Sequence, residues 1–206
     1  MSTDPTINHL VRAFSLPSAE DLAPLRDRLA NTAVSDGLLD LSYRTLDSPF
    51  GNLLIAATPI GLVRLAFERE NHERVLGDLA VAISPRMLHS GQRTDQIARQ
   101  LDEYFAGERQ MFHVATDLRL VDGFRRIVIA NLAAIGYGET ASYATVAIRA
   151  GSPKAVRAVG SACAHNPVPI VIPCHRVVRS DGSIGQYLGG TATKAALLAL
   201  EAAARG

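Results

Sequence analysis

Residues 166–178 read NPVPIVIPCHRVV and set a thiol, Cys174, directly before an imidazole, His175. A cysteine attacks electrophiles as the thiolate, and a nearby imidazole or a basic setting lowers its pKa. Three prolines bracket the apolar run, which predicts a stiff, extended segment holding the pair at a fixed place. In an extended segment adjacent side chains diverge, so a bridging water is the expected relay between thiol and imidazole. The imidazole also needs a carboxylate to orient it. Glu201 is the only Asp or Glu after Asp181, and it lies in TKAALLALEAAA, a helix able to return beside the Cys-His pair. Cys174, His175 and Glu201 therefore form a plausible nucleophile set. Spacing alone leaves three alternatives: a buried inert thiol, a metal set of Cys163, His165, Cys174 and His175, or a turning-over cysteine hydrolase. The C-x-H then C-H pattern of the second is not a zinc spacing.

The elements around this segment have to position it. After it comes RSDGSIGQYLGG, whose four glycines let a loop bend closely around a flat ligand, with Tyr187 offering an apolar face and one hydroxyl. Before it, Ser142 is the expected cap of a short helix, YATVAIRA, ending at Gly151. Ser152 is the expected cap of the next, PKAVRAVGSACAH, with Pro153 at its first position, where a missing N–H costs nothing. Two short helices joined by a Gly-containing turn fit a helix-turn-helix. The second helix is rich in small residues (Ala155, Ala158, Gly160, Ser161, Ala162), so its backbone can approach another surface. Arg157 is the large basic side chain among them. Tight helix–helix packing with Arg157 in a surface ion pair is the competing reading. Upstream, GFRRIVIANLAAI predicts a helix with Phe124, Ile127, Val128 and Leu132 inward, stopped at Gly136.

Residues 38–117 differ in texture. LLDLSYRTL, NLLIAATP and GLVRLAFE read as strands, and RTDQIARQLDEYFAG as a helix with Ile97, Leu101 and Phe105 on one face, stopped at Gly107. The expectation is a small α+β domain with no catalytic residue. Residues 1–36 read as an extension whose helix, capped by Ser18, docks through Leu22, Leu25 and Leu29. The three pieces are thus 1–36, 37–117 and 118–206.

The chain has 206 residues, 48% hydrophobic and 20% charged, which excludes a disordered or collagen-like chain. The formal net charge of +1 hides an asymmetry: residues 1–118 sum to −5 and residues 119–206 to +6. A basic half suggests an anionic partner such as nucleic acid; chance asymmetry is the alternative. Two cysteines eleven positions apart predict reduced thiols and a cytoplasmic protein. MSTDPTINHL has neither a basic nor an apolar leader region, and no apolar run approaches the ~20 residues that cross a bilayer, so neither secretion nor membrane insertion is expected.

The segment Ile172-Pro173-Cys174-His175-Arg176-Val177 resembles the active-site signature of the O6-alkylguanine-DNA alkyltransferases, also called methylated-DNA–protein-cysteine methyltransferases. GETASYA, GSPKAVRAVG, the Asn166-Pro167 hinge, the Gly189-Gly190 pair and the closing Lys194, Leu197-Leu198 and Glu201 agree in order. The resemblance implies an α+β protein: a small ribonuclease-H-like α/β N-terminal domain, then a mostly helical C-terminal domain with a helix-turn-helix. It implies irreversible, single-turnover transfer of the alkyl group of O6-alkylguanine, mainly O6-methylguanine, to Cys174. His175 would take the thiol proton through a water, Glu201 would hold His175, and Asn166 would tie the active-site segment to the helix-turn-helix. Arg157 would fill the space left by a flipped nucleotide, with Tyr143, Ser152, Ala158 and Gly160 also at the DNA. Tyr143, Tyr187, Val177, Leu188, Lys194 and Cys163 would form the base pocket, with the backbone at Cys174 and Val177 reading the base edge and Lys194 supporting the loop or the Tyr187 hydroxyl. Partners would be the minor groove of double-stranded DNA and the alkylated guanine. The protein would act as a monomer, with cooperative assembly on DNA left open, and without metal or other cofactor. Leu188 departs from the hydroxyl residue common in the family, and Ile129 from a common tryptophan. A non-enzymatic damage-binding relative would lack the acceptor cysteine present here.

Overall fold

The computed structural model describes residues 19–203. Helix α1 (Ala19–Ser35) is followed by strands β1 (Leu41–Leu46), β2 (Leu53–Ala57) and β3 (Leu62–Phe67), a 3-10 turn over Glu68–Glu70 and helix α2 (His72–Ala82). Strand β4 (Met87–His89) and helix α3 (Asp95–Phe105) complete this half. The helical half holds α4 (Gly123–Leu132), β5 (Ala141–Ser142), α5 (Tyr143–Arg149), α6 (Val156–Ala164), a 3-10 turn over Cys174–Arg176, β6 (Val177–Val178) and α7 (Thr191–Ala203). The α+β architecture is the one expected from the strand and helix texture.

The four-stranded sheet has the order β3-β2-β1-β4, antiparallel except for β1 with β4. Strand β2, LLIAA, is buried along its whole length because both sheet faces are covered. Alternation sorts its residues. Leu54 and Ala56 pack with Val75 and Leu79 of α2, whereas Leu53, Ile55 and Ala57 join Ile97, Leu101 and Tyr104 of α3. That second cluster runs without a break into Val128, Val146, Val159 and Leu197, so sheet and helical half share one core. The β2–β3 hairpin turns at Gly61 (φ 156°), where a Cβ would stand 2.2 Å from the Ala115 carbonyl oxygen. Only glycine allows residues 115–117 to close there, with Leu62 N–H donating to Ala115 O and Asp117 N–H to Leu62 O.

Several expectations need correction. Leu25 and Leu29 are each 58% exposed; α1 lies against β4 with the small Ala30 buried instead, and Ser18 falls outside the described residues. Ile127 is 50% exposed and Ile129 takes the buried position on α4. Helix α6 begins at Val156 after a turn over residues 152–155, closed by Ala155 N–H on Ser152 O, so Ser152 caps nothing. Residues 153–155 are taken up by that turn, and the first helical bond, Val159 N–H to Ala155 O, starts three residues past Ser152. Ser142 does cap α5, accepting from Thr145 N–H. Helix α2 and strand β4 had no counterpart in the sequence reading.

Candidate active site

The segment 167–173 is not extended. Ile172 N–H donates to Val168 O, Val171 N–H to Pro169 O, and Cys174 N–H to Ile172 O, folding the run into a compact turn. Ile170, buried at its centre, takes φ 72°, a left-handed conformation costing a β-branched residue about 1–3 kcal/mol. The prolines stiffen this turn rather than straighten it, because surrounding contacts decide its path. Asn166 supplies the main one. Fully buried, it donates through Nδ2 to Ile172 O (2.8 Å) and accepts at Oδ1 from Val168 N–H (3.1 Å). From the sheet, Leu65 N–H (2.8 Å) and Arg64 Nη1 (3.2 Å) both donate to Pro167 O. Arg64 is held in turn by Glu70. The active-site turn is gripped from both halves of the molecule.

Cys174, His175 and Arg176 then form a single buried 3-10 turn. The structure brings His175 and Glu201 of α7 together: His175 Nε2 lies 2.9 Å from Glu201 Oε1, both side chains fully buried. Glu201 collects further donors. Arg176 reaches it through Nη2 to Oε1 and Nε to Oε2, each 2.9 Å, Tyr104 Oη donates to Oε1 at 2.6 Å, and Gly138 N–H to Oε2 at 3.1 Å. Burial alone would raise this carboxyl. The hydrogen bonds from His175, Arg176 and Tyr104 outweigh it and lower the pKa to about 2. The Arg176 cation balances the carboxylate charge, and burial lowers the His175 pKa below its usual 6.5, so the imidazole is neutral at pH 7. With a carboxylate at Nε2, the proton of that neutral ring sits on Nε2. Nδ1 is left as an acceptor, buried and without a partner among the described residues.

The thiol is also not what the sequence alone implied. Cys174 is 2% exposed and burial pushes its pKa up to about 11, against smaller downward pulls from Asn166 and Lys194. Burial therefore favours the neutral thiol in the resting protein. Cys163 of α6, similarly buried, is pushed up to about 12. Lys194 is buried on α7 and donates through Nζ to Val177 O at 2.5 Å; the Tyr187 hydroxyl has no partner among the described residues, so Lys194 supports the backbone after the thiol instead. The N–H groups of Cys174 and Val177 are satisfied internally, by Ile172 O and Cys174 O; the two carbonyls each already accept one hydrogen bond, Cys174 O from Val177 N–H and Val177 O from Lys194 Nζ, so only their second lone pairs can meet a ligand edge.

Two short strands align the helix-turn-helix with this turn. Ala141 pairs with Val177 and Ser142 with Val178, in parallel, so Tyr143 starts α5 beside the thiol segment. The Tyr143 ring lies 5.9 Å from Lys194 Nζ, and a Cβ on Gly185 would come within 2.6 Å of its hydroxyl, so the glycine-rich loop closes directly over it. Tyr187 packs edge-on against His175 (6.2 Å) and Phe67 (5.6 Å), and Leu188 is half-buried beside the same core. Helix α6 packs on α4 and α5 through Val159, Ala162 and Cys163. Its opposite side exposes Arg157, Ala158, Ser161 and Ala164. Arg157 makes no ion pair among the described residues, against the competing reading. A Cβ at Gly160 would meet nothing within 4 Å, so the protein's own packing does not demand glycine there.

The family profile "6-O-methylguanine DNA methyltransferase, DNA binding domain" matches residues 123–203, and "6-O-methylguanine DNA methyltransferase, ribonuclease-like domain" matches residues 41–118. The methylated-DNA–protein-cysteine methyltransferase of Mycolicibacterium paratuberculosis is 40% identical over 161 residues, covering 78% of this chain and 92% of the relative.

The chain belongs to the 6-O-methylguanine DNA methyltransferase family.

The constitutive methyltransferase of Bacillus subtilis is 37% identical over 163 residues, covering 77% of this chain and 94% of that one. A crystal structure of Mycobacterium tuberculosis OGT in complex with DNA superposes with a TM-score of 0.70 at 37% identity, covering 79% of this chain and 94% of the other. Within this methyltransferase family fold, every residue of the thiol–imidazole–carboxylate set comes from the DNA-binding part. Sequence reasoning missed three donors to Glu201. Gly138 acts by its backbone, which carries no side-chain signal. Arg176 was visible inside the signature but had no assigned partner. Tyr104 lies in the half read as free of catalytic residues, 97 positions from the carboxylate it touches.

Proposed function

We propose that this protein repairs O6-alkylguanine in double-stranded DNA by moving the alkyl group irreversibly to Cys174, once per chain. The observation that carries the reading is the polarity of His175: Nε2 is committed to Glu201 while Nδ1, an acceptor, is buried without a partner among the described residues, on the residue next in sequence to the buried Cys174. That is the arrangement a proton acceptor for Cys174 requires, with one water as the bridge. Sulfur attacks the methyl carbon in line as the thiol proton passes to His175. The C–O bond breaks, its electron pair stays on guanine O6, and the base takes up one proton, so thiol plus ether becomes thioether plus guanine. A thiol that is neutral at rest suits this order, because the sulfur is ionised only with a substrate in place. A thioether has no hydrolytic exit, which separates this chemistry from that of a hydrolase.

The methylated oxygen is inaccessible inside a duplex, so the nucleotide rotates out at a cost of about a few kcal/mol, less for a weakened pair. The exposed small face of α6 approaches the minor groove with Arg157 occupying the gap, and Ser152, Ala158 and Gly160 line the approach. Tyr143, Tyr187, Leu188 and Cys163 wall the pocket, Val177 and Cys174 offer carbonyls to the base edge, and Lys194 holds the Val177 backbone. Asn166 fixes the turn. Residues 118–206 perform the chemistry and residues 37–117 buttress it. The protein acts as a monomer, and two unpaired thiols fit a reducing cytoplasm. Incubating the protein with a duplex containing one O6-methylguanine and counting bases in the hydrolysed DNA tests the reading. One unmodified guanine regained per chain, with no further turnover, supports it; unaltered methylguanine, or many turnovers per chain, overturns it.

A further inference from the structure

Tyr104 stands on α3, in the half that carries no member of the thiol–imidazole–carboxylate set, yet its hydroxyl reaches into that set. It donates to Glu201 Oε1 at 2.6 Å and lies 3.5 Å from His175 Nε2, in full burial. Burial beside the Glu201 carboxylate raises the phenol far above its usual 10, so it remains a donor at every working pH. Its ring is clamped at centroid distances of 5.2 Å by Phe112, 5.6 Å by Phe105 and 6.0 Å by Tyr137. The charged and titratable groups facing Glu201 are His175 and Arg176 from the active-site turn, Tyr104 from α3 and Tyr137 before α5. Of its neighbours, Tyr104 is the one that shares Oε1 with His175 and comes from a separate part of the fold.

We propose that Tyr104 is a positioning residue for alkyl transfer: its hydroxyl fixes Glu201 Oε1 and moderates how strongly that oxygen holds the His175 proton, so the sheet half of the molecule tunes the base. A carboxylate gripped by Arg176 and Gly138 alone still rocks about the Arg176 fork. The Tyr104 hydroxyl closes that freedom, and it withdraws electron density from the oxygen that bonds His175. The inference rests on the alkyl-transfer reading, but its first readout does not.

The test is Tyr104→Phe, which removes only the hydroxyl. By NMR titration the His175 pKa rises by ~0.5–1 unit, because Glu201 then favours the imidazolium more strongly. The rate constant for free O6-benzylguanine falls about tenfold, the scale of one hydrogen bond to a charged group, and the pH-rate profile moves with the imidazole. The loss disappears in a Glu201→Gln background, where the carboxylate is gone. An unmoved His175 titration, or an equal loss in both backgrounds, overturns the proposal whatever the thermal stability shows. If Tyr104→Phe does not fold, the unsubstituted protein still decides: a slowly exchanging Tyr104 hydroxyl proton close to the His175 Nε2 proton is expected, and a rapidly exchanging one overturns it. No alkyl transfer by the unsubstituted protein, with the NMR results as expected, would sink the function reading and leave the positioning intact.

Discussion

The two ends of the buried chain from Cys174 to Glu201 are built on opposite plans. At the Glu201 end every lone pair is taken: a guanidinium, an imidazole, a phenol and a backbone N–H converge on one carboxylate, and its charge is balanced. At the Cys174 end the polar atoms are sparse. His175 Nδ1 and the Tyr187 hydroxyl have no partner among the described residues, and the thiol is neutral. The saturated end is where rigidity is stored. The sparse end keeps polar atoms that a ligand or water could partner without breaking protein hydrogen bonds, and a buried polar group left without a partner costs about 1–3 kcal/mol. On the proposed function, the sparse end is the one that faces the substrate.

That contrast predicts a hierarchy of effects. Glu201→Ala strands Arg176 as a buried unpaired cation and frees His175, so it should cost about 3–5 kcal/mol by denaturant unfolding and abolish measurable transfer. The same carboxylate predicts acid sensitivity. Its folded pKa of about 2 lies below the unfolded 4.5, so its contribution is present above pH 4.5 and is lost as pH falls towards 2. His175, lowered from 6.5, adds loss in the same direction as acid protonates the unfolded chain first. An acid unfolding curve indifferent to Glu201→Gln would break the account of the saturated end.

Asn166→Ala should cost about 2–3 kcal/mol, because Ile172 O and Val168 N–H lose their partners in full burial. The thiol end has its own signature. Alkylation of Cys174 by iodoacetamide in the DNA-free protein should keep accelerating up to about pH 11, where an ordinary thiol levels off near 9. A plateau below pH 8 would mean a standing thiolate. Arg157→Ala should weaken repair of duplex DNA about tenfold or more while leaving the reaction with free O6-benzylguanine within about twofold, since that side chain is exposed and makes no ion pair among the described residues. Smallest is Tyr187→Phe, expected within ~0.5 kcal/mol in stability because its hydroxyl has no hydrogen-bond partner among the described residues.

Reading the sequence worked where local rules suffice. The strands of residues 38–67 are short leucine-rich runs punctuated by turn residues, Ser142 caps α5, and α3 carries its apolar residues at helical spacing. Helix α2 was missed although Asn71 caps it and Val75 and Leu79 fall four apart, because Gly77 and charged residues dilute the pattern. Strand β4, three residues long, has too little sequence to announce itself. In the site, residue types and order singled out Cys174, His175 and Glu201, since a nucleophile, its base and a carboxylate are chemically recognisable in a short stretch of chain. The path of residues 167–173 was misread as extended because prolines restrict φ without saying which contacts will bend the run. The thiol pKa was misjudged because burial is a tertiary property: the basic neighbours are present but desolvation outweighs them. Tyr104 was invisible for the same reason, its role created only when α3 and α7 meet.

The central claim is that the sulfur of Cys174, and no other atom, receives the alkyl group. Peptide mapping by mass spectrometry after reaction with an O6-methylguanine duplex addresses it directly. The account predicts a gain of one methyl-for-hydrogen on the peptide carrying Cys174, with Cys163 unmodified and the gain absent from Cys174→Ala. A methyl group found on Cys163, or a Cys174→Ala protein that still gains one, would contradict it.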